Sequence, residues 1–159
     1  AKKIISTSRH ADRQALAKEF GATDNVAERS DEAVQKIMEL TNGAGADAVL
    51  ECVGTEQSTD TAMKVGRPGT IVGRVGLPHT PKMDMTVLFY NNTIVGGGPA
   101  SVTTYDKDVL LKAVLDGDIN PGKVFTKSFD LDQIQEAYEA MDKREAIKSY
   151  IIMDGFERD

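Results

Sequence analysis

Two arginines, Arg9 and Arg13, follow a small neutral Ser8 at the end of a β-branched run. Guanidinium groups beside a hydroxyl suit a dianionic phosphate. The alternative is a solvated basic helix start, in which Asp12 pairs with either arginine. Glycine recurs in Val53-Gly54-Thr55, Val75-Gly76-Leu77-Pro78 and Gly96-Gly97-Gly98. Where side chains are missing, a ring or sugar can approach the backbone, although any one of these glycines also reads as a turn. Metal and nucleophile chemistry find little support. His10, His79 and Cys52 are not at ligand spacing. Cys52 is expected to be a small buried residue and His79 an exposed loop residue. There is no Walker loop and no G-x-S-x-G elbow. Tyr90, Tyr105, Tyr138 and Tyr150 make no Tyr-x-x-x-Lys pattern, and no acidic pair stands out as an acid/base dyad. The sequence therefore assigns no catalytic residue and no metal ligand to this chain.

The elements that must position these residues alternate. A strand over 3–8 precedes a helix over 11–20 with Gly21 at its C′ position. A short strand follows at 24–27. Ser30 is expected to N-cap a second helix, with Val34, Ile37, Met38 and Leu40 as its buried stripe. The near-continuous apolar run 48–54 predicts a strand covered on both faces. A helix over 57–65 leads to Pro68-Gly69, read as a break. Strands follow at 70–75 and 93–95, with an irregular connection between them. Beyond Gly98 the pattern predicts a helix over 106–116 with Val109, Leu110, Ala113 and Val114 inward. A half-buried strand follows at 124–129. Asp132 and Gln135 resemble a capping box for a helix through Met141, and a last strand spans 147–153. Alternation of this kind implies right-handed βαβ units and a doubly wound parallel sheet, fold class α/β. Ligands bind outside the carboxyl ends of such strands, where Ser8, the three glycine clusters and Arg9 all fall. An acid at the end of that first strand would hold the ribose 2′-hydroxyl of NAD, whereas Ser8 with two arginines suits the 2′-phosphate of NADP.

Composition narrows the classes. The 159 residues are 40% apolar and 28% charged, with 25 acidic and 19 basic residues and a net charge of −6. An acidic chain without a basic block argues against nucleic acid. One cysteine fits a reducing compartment, so a cytoplasmic location is expected. No apolar run approaches the ~20 residues that cross a bilayer.

The ordered set Ser8-Arg9-His10, Gly21-Ala22-Thr23, Gly45-Ala46-Asp47-Ala48-Val49-Leu50-Glu51-Cys52-Val53-Gly54, Arg67-Pro68-Gly69-Thr70 and Val75-Gly76-Leu77-Pro78 resembles the cofactor domain of the zinc-dependent alcohol dehydrogenases. These belong to the medium-chain dehydrogenase/reductase superfamily. Ile119-Asn120-Pro121-Gly122-Lys123-Val124-Phe125, Glu136-Ala137-Tyr138-Glu139-Ala140-Met141 and Ala146-Ile147-Lys148 resemble that family's C-terminal end. The resemblance implies a partial dinucleotide-binding domain over 1–98 and a segment over 99–159 that returns towards a catalytic domain. It implies that Val53, Gly54 and Thr55 line the adenosine side. Val75, Gly76 and Leu77 would flank the nicotinamide and its ribose, and Lys148 would meet the pyrophosphate. The expected cofactor is NADP, with NAD the alternative. The expected partners are a small alcohol or aldehyde and a second subunit, joined through the edge strand near Thr93-Ile94-Val95.

The departures from the family carry expectations of their own. The glycine fingerprint of the first βα unit and the domain bearing zinc ligands and proton relay are not in this sequence. The start at Ala1, inside a strand, is expected to be a cut, and the chain alone is expected to be inactive. In the order 3-2-1-4-5-6 the first strand is central. Without it the sheet would gap, leaving two unpaired edges at about 1–3 kcal/mol per buried backbone group. Two alternatives stand beside the alcohol dehydrogenase: a zinc-free quinone or enoyl reductase of the same superfamily, and a non-catalytic nucleotide-binding or oligomerisation module.

Overall fold

A computed structural model describes residues 1–79, 82–99 and 103–153. They cluster into two compact units, Ala1–Ser101 and Val102–Asp159. In the first unit short strands alternate with helices: β1 (Ile5–Thr7), α1 (Ala11–Glu19), β2 (Asp24–Val26), α2 (Ser30–Leu40), β3 (Ala46–Glu51), α3 (Glu56–Val65), β4 (Gly66–Arg74), α4 (Met85–Tyr90) and β5 (Ile94–Gly97). Every strand pairing in it is parallel, as helical crossovers require. The strands form two sheets, β1-β2 and β3-β4-β5. Among the described residues no ladder joins β1 to β3, so the expected break falls there.

Helix α2 spans that break. Its Ala33 and Ile37, four residues apart and so on one face, form a core cluster with Val26 of β2 and Val65 of α3. Ile5 of β1 and Val49 of β3 pack against the same cluster. Lys3 Nζ donates to the Leu40 carbonyl at 2.7 Å, and the Gly45 amide donates to Thr41 Oγ1 at 3.1 Å. A second cluster of Ala62, Met63, Val72 and Leu88, with Val49 and Val95, covers one face of β3-β4-β5.

The other face of that sheet differs from expectation. Leu50, Ile71 and Ile94 alternate with the buried set and are exposed, so β3 is covered on one face rather than two. Ser30 is not an N-cap. It is the first residue of α2, with φ 52°, and its hydroxyl instead accepts from Gln57 Nε2 at 2.5 Å. Pro68-Gly69 lies inside β4, where the ladder slips between Ala46 and Ala48 and lets the chain bulge outward. The connection read as irregular contains α4, capped by Asp84 Oδ1 accepting from the Thr86 and Val87 amides. Gly21 does end α1 with φ 96°, the left-handed conformation that glycine adopts freely.

The second unit holds α5 (Thr104–Leu115), a 3₁₀ turn (Pro121–Val124), β6 (Phe125–Asp130), a 3₁₀ turn (Leu131–Gln133), α6 (Ile134–Asp142) and β7 (Lys148–Ile152). β6 and β7 pair in parallel, with Ala137, Ala140 and Ala146 buried beside them. Two expectations shift here. The capping box is Asp130 with Gln133, two residues earlier than read, because a 3₁₀ turn precedes α6. Helix α5 begins at a Thr103/Asp106 capping box but has no buried residue. Val109, Leu110 and Val114 are exposed. No helix among the described residues is long and apolar enough to cross a membrane.

Candidate cofactor site

The carboxyl end of β1 carries Ser8, Arg9 and Arg13. The Ser8 amide donates to the Val26 carbonyl at 3.0 Å, which continues the β1-β2 ladder by one residue. Ser8 Oγ accepts from the His10 amide at 3.3 Å, and Gln14 Nε2 donates to the Ser8 carbonyl at 2.5 Å. The turn into α1 is thus pinned by its own side chains. Arg9 is exposed and Arg13 half-buried. Neither side chain makes a hydrogen bond or ion pair among the described residues, so the pairing with Asp12 is not formed.

The ends of β3 and β4 meet. β3 and β4 pair with Glu51 beside Arg74. The Val75 and Gly76 amides donate to the Glu51 carbonyl at 2.8 and 2.9 Å, and the His79 amide donates to the Gly54 carbonyl at 2.9 Å. Backbones approach closely here. A Cβ on Gly76 would sit 2.5 Å from the Val53 nitrogen, and one on Gly54, at φ +87°, would sit 2.6 Å from the Leu77 carbonyl carbon. These two glycines therefore serve loop-on-loop packing rather than open space for a ligand. The open space lies at Gly96 and Gly98, where a Cβ would meet nothing within 4 Å. Around the locked loops the apolar side chains face outward: Val53 is 59%, Val75 69% and Leu77 75% exposed. Thr55 N-caps α3 by accepting from the Ser58 amide at 3.2 Å.

Glu51 is the residue that sequence reasoning missed. It is 3% exposed. Its Oε1 accepts from the Val53 amide at 2.9 Å and the Gly54 amide at 2.8 Å. Burial pushes the carboxyl up, but the Gly54 amide, the nearby Ser58 hydroxyl, the Val53 amide and the Arg74 charge outweigh it. The net result is a carboxyl below its ordinary range. A lone charge in an apolar run, followed two and three residues later by turn amides, was the available signal.

Cys52 was expected to be buried and is exposed, because successive strand residues point to opposite faces and Glu51 takes the inner one. Partial desolvation and the Glu51 charge still raise its thiol above the usual range. His79 is exposed, as expected. Lys148 opens β7 in the second unit and is exposed. The structure thus brings Val53, Gly54, Thr55, Val75, Gly76 and Leu77 together, while Ser8, Arg9 and Arg13 stand at the end of the other sheet.

A family model described as zinc-binding dehydrogenase matches residues 1–107. The chain belongs to the zinc-binding dehydrogenase family. It is 30% identical to an alcohol dehydrogenase of Malus domestica over 97% of its own length and 42% of that protein. It is 29% identical to L-threonine 3-dehydrogenase of Bacillus licheniformis, covering 96% of this chain and 44% of that one. Among solved structures, zinc-dependent alcohol dehydrogenase 2 from Streptococcus pneumonia superposes with a TM-score of 0.87 at 32% identity. That match covers 99% of this chain and 46% of the other. The chain spans less than half the length of these relatives. By their names they are oxidoreductases.

Proposed function

We propose that residues 1–98, within the first unit, bind a nicotinamide dinucleotide, NADP(H) in preference to NAD(H). It would serve as the cofactor part of an alcohol dehydrogenase that moves hydride between an alcohol and an aldehyde. The observation that carries this reading is the pair of locked loops. They hold three large apolar side chains, Val53, Val75 and Leu77, out to solvent at the carboxyl ends of two parallel strands. That is where doubly wound sheets take their ligands. An apolar surface on a rigid backbone suits a flat ring, and burying it on a ligand would gain about 25 cal/mol per Å². The nicotinamide supplies the hydride chemistry when bound. The chain's own residues hold and orient it and keep water from its face. Among the described residues no three His, Cys, Asp or Glu side chains could hold a metal ion, so no step is assigned to a metal here.

The NADP preference rests on Ser8, Arg9 and Arg13. A neutral residue stands where an acid would repel a 2′-phosphate, and it is followed by two guanidinium groups that have no partner among the described residues. Titration of the chain with NADPH and with NADH tests both levels. NADPH should bind more tightly, and Arg9→Ala with Arg13→Ala should remove about ten- to a hundredfold of NADPH affinity while sparing NADH. Equal or tighter NADH binding overturns the preference. Failure to bind either dinucleotide overturns the cofactor reading.

A further inference from the structure

Glu51 ties both loops to one residue. Its carboxylate receives the Val53 and Gly54 amides, and its main-chain carbonyl receives the Val75 and Gly76 amides. A neutral glutamine could accept the first two hydrogen bonds as well, so hydrogen bonding alone does not require a buried charge. Arg74 supplies the other half of the observation. It lies beside Glu51 on β4, and its other strand neighbour is Gly97, which has no side chain. Its Nε and Nη2 are buried without a hydrogen-bond partner among the described residues, and so is Glu51 Oε2. A carboxylate or a guanidinium buried alone is costly; the two make no direct ion pair among the described residues, but register neighbours of opposite charge lower that cost for one another. Hydrogen bonds to an ionised acceptor are also stronger than those to a neutral one.

We propose that Glu51 is a positioning residue of the cofactor site, locking the 53–54 and 75–76 loops into one body, with the half-buried Arg74 as its counter-charge. The proposal rests on reading those loops as the cofactor surface. Its consequence is coupling. A change at the Glu51 carboxylate must be felt at Val75 and Gly76, whose own acceptor is the untouched main-chain carbonyl.

Amide hydrogen exchange on the whole chain, without ligand, reads this directly. Glu51→Gln should speed exchange by about tenfold or more at Val53 and Gly54 and also at Val75 and Gly76, while β6 and β7 amides stay unchanged. Combining Glu51→Gln with Arg74→Met should recover part of the loss, because no charge is then buried alone. Unchanged exchange at Val75 and Gly76, or a double variant no better than the sum of the singles, overturns the proposal. Should Glu51→Gln fail to fold, Arg74→Met carries the comparison, since it leaves every hydrogen bond of Glu51 in place. Faster exchange at all four amides supports the pairing, and unchanged exchange overturns it. NADPH that fails to slow these four amides in the unaltered chain overturns the cofactor reading instead, and the ligand-free comparison stands independently of that result.

Discussion

Replacing Gly54 with alanine tests whether the two strand-end loops are built against one another. Two costs arise at this position. The backbone sits at φ +87°, a left-handed conformation that costs an L-residue about 1–2 kcal/mol. The added Cβ would also lie 2.6 Å from the Leu77 carbonyl carbon. The Leu77 carbonyl oxygen lies closer still, and ordinary carbon contacts lie near ~3.5–4 Å, so one loop must retreat by more than about 1 Å. That retreat overpacks the site, at about 1–3 kcal/mol. It also strains the Glu51 hydrogen bonds to the Val53 and Gly54 amides. Gly69 supplies the control, because it has φ +80° and nothing within 4 Å of the added atom. Gly69→Ala should therefore lose about 1–2 kcal/mol, and Gly54→Ala roughly 2–5 kcal/mol. The variants differ by the overpacking cost of about 1–3 kcal/mol, so at about 2–4 °C per kcal/mol for a chain of this length their melting temperatures should differ by roughly 2–12 °C. Thermal unfolding followed by circular dichroism measures both. Equal melting temperatures for the two variants would refute the reasoning, since the loop-on-loop contact would then cost nothing.

Other outcomes follow from the same geometry. Because the Glu51 carboxyl is held below its ordinary value of 4.5, its ionised form adds stability that is fully present above that value and lost as pH falls through the lower folded value. The stability gap between the unaltered chain and Glu51→Gln, measured by denaturant unfolding, should shrink on acidification below about 4.5; a pH-independent gap would count against the charge. Outer-edge amides of β1 and β3, which have no ladder partner among the described residues, should exchange faster than those of β4, which is paired on both sides. If association occurs through the free edge of β5, Ile94→Lys should shift sedimentation towards the monomer, and a monomeric unaltered chain removes the idea.

Strands and turns were legible where side-chain type alone decides them. Gly21 could close α1 because few other residues take φ 96°, and the β-branched runs marked β1 and β4. Asp84 ahead of Met85-Thr86-Val87-Leu88 carried an N-cap signal for α4 that the nearby Pro78 obscured. Asp130/Gln133 and Asp132/Gln135 share one spacing, and a 3₁₀ turn of three residues decided between them. Exposure was the harder property. Val109, Leu110 and Val114 are apolar at helical spacing, yet what covers such a face depends on neighbours that periodicity does not name. The loop residues of the site could be found from their glycines and their place after strands. Glu51 showed only as a lone charge in an apolar run, because its role comes from a register that sets it beside Arg74 and beneath two turns.

The exposed thiol of Cys52 offers an optical handle. The sequence has one cysteine, so a thiol-reactive dye attaches at a single place without any substitution. That place is one residue from Glu51 and one from Val53. Its raised pKa means that labelling proceeds best in mildly alkaline buffer, where thiolate accumulates. A dye seated there would report the arrival of a dinucleotide, or the loosening of the two loops, as a change in emission from the native backbone.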